Sequence, residues 1–229
     1  MKYCIKASIF LICRFSAILA NYPKEKKMND ITAPAKITPL APALMARRGG
    51  DADTSLTLMA QICLLVCGVV ALAVSAHVKI PFYPVPLTMQ TLVVLLVGMA
   101  YGSRLGGATV LAYLGAGAAG APVFASGAGI LYFAGPTGGY LAGFFIATIV
   151  LGFLAERGWA RSFVTTALSM LIGIAIIYAC GVTWLSQLIG LEKAVSFGIL
   201  PFLYGDALKL VIASLGMPLA WSFVNKMMK

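Results

Sequence analysis

Between residues 55 and 225 apolar stretches follow one another with little polar sequence between them, and each approaches the ~20 residues that a bilayer crossing requires. The solvent for such a fold is lipid. Composition agrees: 61% of the chain is hydrophobic and 10% charged, against roughly 45–50% and 25% in soluble domains. The expectation is an all-α integral membrane protein, with one six-helix transmembrane domain over 55–229 and an outward-facing ligand pocket.

The breaks between the runs are as informative as the runs. Spans are predicted over 55–76, from 89 to Gly102-Ser103-Arg104, over 105–119, 138–154, 162–182 and 201–224, with an interfacial stretch at 184–199 that carries Glu192 and Lys193. After the first span, Pro81, Pro84 and Pro86 remove backbone donors and forbid a regular helix. That segment must be an extended loop, although it is apolar. Between 115 and 139 glycines are dense and Pro122 and Pro136 interrupt, so non-helical backbone is expected near membrane depth. Such backbone is tolerated only where protein buries it or it lines a cavity.

The formal charge of +10 forms no basic helix face, so nucleic acid is not implied. With six spans, the N-terminal tail, Arg104, Arg157, Arg161, Lys226 and Lys229 share one side, and Lys79 and Lys193 lie on the other. The positive-inside rule then places both termini in the cytoplasm and the proline and glycine-rich loops outside. Residues 1–54 read as a basic extension expected to be disordered. Its start resembles a signal peptide, with Lys2 and Lys6 before Ile9-Phe10-Leu11-Ile12, but Arg14 interrupts the apolar core and no clear small-residue cleavage site follows. A translation start at Met28 is equally compatible.

Asp206 and Lys209 stand at i and i+3 inside the last apolar run, which places both on one helix face. Charges within a span cost a few kcal/mol on insertion scales and must face the bundle interior or a polar cavity. One reading is a structural ion pair. The other is a binding site near the outer end of the helix, suited to a small, mostly apolar ligand: Lys209 would meet an acid at one end and Asp206 would accept from donors at the other. Phe124, Tyr132, Phe133, Tyr140 and Tyr204 are candidates for the apolar walls of such a pocket. In Gly135-Pro136-Thr137-Gly138-Gly139-Tyr140 the backbone N–H groups that open a helix could face a ligand.

Other signatures point away from catalysis. Gly115-Ala116-Gly117-Ala118-Ala119-Gly120 matches the dinucleotide fingerprint only formally, because no strand precedes it and Tyr140 stands where an acid would be needed; close helix packing explains it better. No Gly-Lys pair exists to form a phosphate-binding loop, so energy for uphill uptake must come from a partner. Neither G-x-S-x-G nor H-E-x-x-H occurs, and the chain reads as a non-enzyme without cofactor. The single histidine, His77, and five scattered cysteines assemble no metal site. Small residues recur every four positions at Cys67, Ala71 and Ser75 in the first span, where a partner helix or the chain's own helices could pack closely.

Taken together, Pro84-Val85-Pro86-Leu87-Thr88-Met89-Gln90, Gly120-Ala121-Pro122-Val123-Phe124, Gly135-Pro136-Thr137-Gly138-Gly139-Tyr140 and Gly205-Asp206-x-x-Lys209 resemble the BioY family of biotin transporters in order and spacing. The resemblance implies the substrate-specific subunit of an energy-coupling factor transporter in a bacterial cytoplasmic membrane. Its partners would be a transmembrane coupling protein and ATP-binding subunits. It further implies that Asp206 contacts the ureido ring and Lys209 the carboxylate. Further substrate contacts would come from Gln90, Phe124, Ser126, Gly138, Gly139 and Tyr140, with Ala71 and Ser75 as the docking motif. The sequence departs from some members in having Leu141 after Gly-Gly-Tyr, where they carry arginine, and Ser126 in the glycine-rich loop, where they carry asparagine; carboxylate binding then rests on Lys209 alone. Two alternatives stand beside this reading: a solitary biotin facilitator without ATPases, and a subunit for another vitamin.

Overall fold

Nearly every apolar run forms a helix, and what divides them is glycine, proline and a few charges. The structure, a computed structural model, describes residues 54–227 together with Pro39 and Leu40, all within one unit, Lys36–Lys229. The expected signal-like leader and the Met28 start lie outside the described residues. Helix α1 (Thr54–His77) leads through a small antiparallel hairpin, β1 (Lys79–Ile80) and β2 (Leu87–Thr88), into α2 (Gln90–Ala118). A loop with a short 3-10 turn (Ile130–Ala134) precedes α3 (Gly138–Glu156). Then follow α4 (Phe163–Ile189), the short α5 (Leu191–Gly198) and α6 (Leu200–Met227).

Five of these helical stretches, among the described residues, are long and apolar enough to cross a membrane, where six spans were expected. The difference lies in α2, which holds the second and third predicted spans. At Gly102 its backbone leaves the helix (φ 82, ψ 179), a conformation that glycine adopts without the Cβ penalty. The chain doubles back there: a Cβ on Gly106 would lie 3.6 Å from the Cα of Gly98, whereas eight residues of straight helix would separate the two by about 12 Å. Both halves pack on α3, Gly98 and Gly106 each approaching Thr148. The six expected rods are therefore present, two of them as halves of a bent element. Glu156, at the end of α3, secures the bend, its Oε1 accepting from the Ser103 N–H (2.9 Å) and hydroxyl (2.7 Å). Pro39 is buried against Gly102, and Leu40 packs on the core.

Helix α4 starts at a Ser162 cap that accepts from the Thr165 N–H and runs to Ile189. Trp184, expected in the interfacial stretch, therefore belongs to this helix. Nothing in Thr183-Trp184-Leu185-Ser186-Gln187-Leu188-Ile189 breaks a helix, and the break waits for Gly190 (φ 85).

Helix α3 sits centrally, against both halves of α2 and against α4, while α6 closes the bundle on α4 and α2. Four buried hydroxyls are satisfied locally: Thr109, Thr148, Thr166 and Ser169 each donate to the carbonyl one turn back, at 2.7–2.8 Å, whereas the Ser214 hydroxyl has no partner among the described residues. Such local donation is the arrangement a water-free environment demands of polar side chains. In contrast α1 turns Leu58, Ile62, Val66, Val70 and Val74 outward, more than half exposed, as a lipid-facing surface would.

Candidate functional site

The three-proline segment is an apolar hairpin, and its position decides the site. Lys79 pairs with Thr88 and Ile80 with Leu87; the Tyr83–Pro84 bond is cis. This pairing holds β2 against α6, where the Thr88 carbonyl accepts from Lys209 Nζ at 2.8 Å. The same ammonium lies 2.8 Å from Asp206 Oδ1, and Tyr178 of α4 donates to Asp206 Oδ2 at 2.5 Å. Asp206 is 3% exposed and Lys209 7%. A carboxylate is thus held at both oxygens, and one ion pair joins the hairpin, α4 and α6.

The glycine-rich loop forms the facing wall. Phe124 inserts beneath it, stacked on Tyr132 (4.7 Å between centroids) and edge-on to Tyr113 and Phe133. A Cβ on Gly117 would collide with the Phe124 ring, so the small residues of this region are explained by the aromatic that they admit. Lys79 ties hairpin to loop, its Nζ donating to the Ala125 carbonyl and lying 3.5 Å from Ser126 Oγ.

Between hairpin, loop, α3, α4 and α6 lies a cavity that encloses about 520 Å³ of space with its open mouth included. Phe124, Tyr132, Phe144, Ile177 and Phe202 give it apolar walls, and Gln90, Tyr178 and Asp206 its main polar features. The Gln90 Nε2 is buried without a hydrogen-bond partner among the described residues.

The residues singled out from sequence take different places. Asp206, Tyr140, Phe124 and Gln90 border the cavity, although the Tyr140 hydroxyl is engaged by the Gly198 carbonyl at 2.9 Å. Lys209 does not border it; its ammonium is turned to Asp206 and Thr88. Ser126 stands at the rim beside Lys79. Gly138 and Gly139 serve packing: a Cβ on Gly138 would strike the Phe133 carbonyl, and one on Gly139 the Trp184 side chain. In the small-residue stripe of α1, Cys67 and Ala71 are exposed, whereas Ser75 is buried and donates to the Leu72 carbonyl.

Tyr178 and the Thr88 carbonyl were not foreseen. Tyr178 is one aromatic in an apolar helix, 28 residues from Asp206, and a backbone carbonyl carries no residue-type signal at all. The three prolines were the one available hint that the segment's unpaired backbone groups would need partners elsewhere.

Residues 45–226 match the model of the BioY family. A probable biotin transporter BioY of Rickettsia prowazekii (strain Madrid E) is 35% identical over 159 residues, 69% of this chain and 81% of the relative. One of Pyrococcus horikoshii is 38% identical over 154 residues, 67% of this chain and 91% of the relative. The biotin transporter BioY of Thermotoga maritima is 42% identical over 148 residues, 63% and 85% respectively. Among solved structures, the S-component for biotin from an ECF-type ABC transporter superposes with a TM-score of 0.62 over 73% of this chain and 93% of that one, at 23% identity; the likeness is one of fold. The matched segment takes in most of the chain, with the hairpin, the glycine-rich loop and the Asp206–Lys209 pair inside it, and the chain belongs to the BioY family.

Proposed function

We propose that this chain captures biotin at the outer face of a bacterial cytoplasmic membrane, as the substrate-binding subunit of an energy-coupling factor transporter. The observation that carries the reading is a buried carboxylate, Asp206, bordering an otherwise apolar, aromatic-lined cavity. Biotin has the complementary chemistry: a ureido ring with two N–H donors, fused to a thioether ring with an aliphatic chain. The ureido donors meet Asp206, displacing or sharing the Tyr178 hydroxyl, and the remainder lies against Phe124, Tyr132, Phe144 and Phe202. Gln90 offers a buried amide nitrogen that lacks a partner among the described residues. Lys209 acts through Asp206, orienting it and fastening the hairpin above it. The relatives' names as biotin transporters support the ligand.

In this reading both termini are cytoplasmic and the cavity opens outward, as the distribution of arginine and lysine favours. A coupling protein docks on the exposed part of the α1 stripe at Cys67 and Ala71, and ATP-binding subunits power release. The chain binds and reorients; it catalyses no reaction.

Uptake of labelled biotin tests the assembly. In cells lacking other biotin transporters, the chain expressed with coupling and ATPase subunits should accumulate biotin against a gradient, and a Walker-motif lesion in those ATPases should abolish accumulation. Undiminished uptake by the chain alone would make it a facilitator instead.

A further inference from the structure

Helix α6 carries two buried polar side chains that the ligand cavity does not account for. The Ser214 hydroxyl and the Trp221 Nε1 have no hydrogen-bond partner among the described residues, and neither residue borders the cavity. Ser214 is 0% exposed and Trp221 3%. A polar group left unpaired in an apolar interior is costly, and native structures rarely leave one so. Ser214 also departs from Thr109, Thr148, Thr166 and Ser169, whose hydroxyls donate to the carbonyl one turn back.

A third polar group belongs to the same turn. Pro218 lies inside α6, and a proline has no N–H to give to the carbonyl four residues back. That carbonyl is Ser214's. Ser214 and Trp221 stand at i and i+7, two helical turns apart on one buried face, with Pro218 between them. Their backbones are about 10.5 Å apart along the axis, and a long side chain in a helix leans toward the N-terminus. The indole N–H is thereby brought back over the turn that Pro218 interrupts. From the other side the ring is held by the Arg161 guanidinium, 4.5 Å from its centroid. A donor, an acceptor and a hydroxyl that can be either thus gather on one stretch of buried helix.

We propose that this stretch of α6 is a binding site for an internal water, which accepts from the Trp221 Nε1–H, donates to the Ser214 carbonyl and is hydrogen-bonded to the Ser214 hydroxyl. Three partners are what a buried water usually has, and ordered water is one means by which a membrane helix tolerates an interior proline. The consequence for α6 is mechanical. On one side of the site the helix is fastened to the hairpin through Lys209 and the Thr88 carbonyl; on the other it is held by Trp221 beneath Arg161. Between these two points the backbone ladder is closed by an exchangeable molecule in place of a fixed N–H. That turn is where α6 bends at least cost.

The test is magnetic resonance of the full chain in detergent with nitrogen-labelled tryptophan. The chain has three tryptophans, and Trp221→Phe identifies the signal of interest by its loss. In wild type the Trp221 indole N–H should show a cross-peak to water although the residue is buried. Ser214→Ala should remove that cross-peak and lower the thermal midpoint by several degrees, because the water loses a partner and the groups it joined are left unpaired. A dry, unpaired hydroxyl predicts the opposite sign, since alanine would then relieve the chain of a buried polar group. A wild-type Trp221 signal without a water cross-peak, a cross-peak that Ser214→Ala leaves unchanged, or a midpoint that does not fall in that variant overturns the proposal. The first of these outcomes requires no variant, and it decides the matter even if Ser214→Ala does not fold.

Discussion

Asp206→Ala is expected to destabilise the folded chain by about 3–5 kcal/mol, the usual cost of removing one partner from a buried ion pair. The substitution strands the Lys209 ammonium, 7% exposed, with the Thr88 carbonyl as its remaining partner, and removes the acceptor of Tyr178. Thermal unfolding in detergent should register it as a large drop in the midpoint. The double variant Asp206→Leu, Lys209→Met separates two accounts of the pair. If the pair serves the site more than the fold, replacing both charges by apolar groups of similar size should restore most of the stability while biotin binding stays absent. A double variant as unstable as the single one would show that the pair is a structural lock.

The second large effect is steric. Gly152 of α3 lies so close to the bend of α2 that a Cβ there would collide with the Ser103 nitrogen and the Gly102 carbonyl carbon. These are backbone atoms, and they cannot rotate away as a side chain would. Gly152→Val should cost about 3 kcal/mol or more and show as loss of monodisperse protein in detergent. Gly216 of α6 is the control, because a Cβ there meets nothing within 4 Å. Gly216→Ala should leave stability equal or raise it by about 0.5–1 kcal/mol, since alanine costs less backbone entropy in a helix. If the two positions responded alike, α2 would not be packed on α3 as described.

Both sites show what a sequence of this kind discloses and what it withholds. The spans were legible because charge is scarce and because Gly102-Ser103-Arg104 and Glu156-Arg157 interrupt the apolar runs. Asp206 and Lys209 were legible for the same reason: ionisable residues in an apolar helix stand out, and their spacing fixes a shared face. The partners they find were not legible. The sequence offered an acid and a base as two ligand contacts, but the hairpin brings a third group, the Thr88 carbonyl, that occupies the base. Gly138 and Gly139 looked like backbone opened toward a ligand, yet the same residues are required where α3 meets Trp184 and Phe133; composition cannot separate a glycine that admits a ligand from one that admits a neighbouring helix. The fold of α2 was hidden differently. Its halves, 90–101 and 103–118, each carry fewer residues than a straight crossing needs, and only the pairing of Gly98 with Gly106 shows that they lie side by side.

Lys79 illustrates the same point from the loop side. In sequence it ends the first span and reads as an interfacial charge. Its pairing with Thr88 across the hairpin brings it over the glycine-rich loop, 46 residues away in sequence, where it meets the rim of the cavity.

The most direct measurement is calorimetric titration of biotin into the purified chain in detergent, beside Asp206→Asn. That substitution keeps the shape and an acceptor for Lys209 but removes the negative charge offered to the ureido donors. The account predicts a saturable, one-site isotherm for wild type and about a hundredfold weaker binding for the variant, the scale of a lost charge-assisted hydrogen bond. Folded wild-type protein that takes up no biotin, or an Asp206→Asn variant that binds as wild type does, would contradict it.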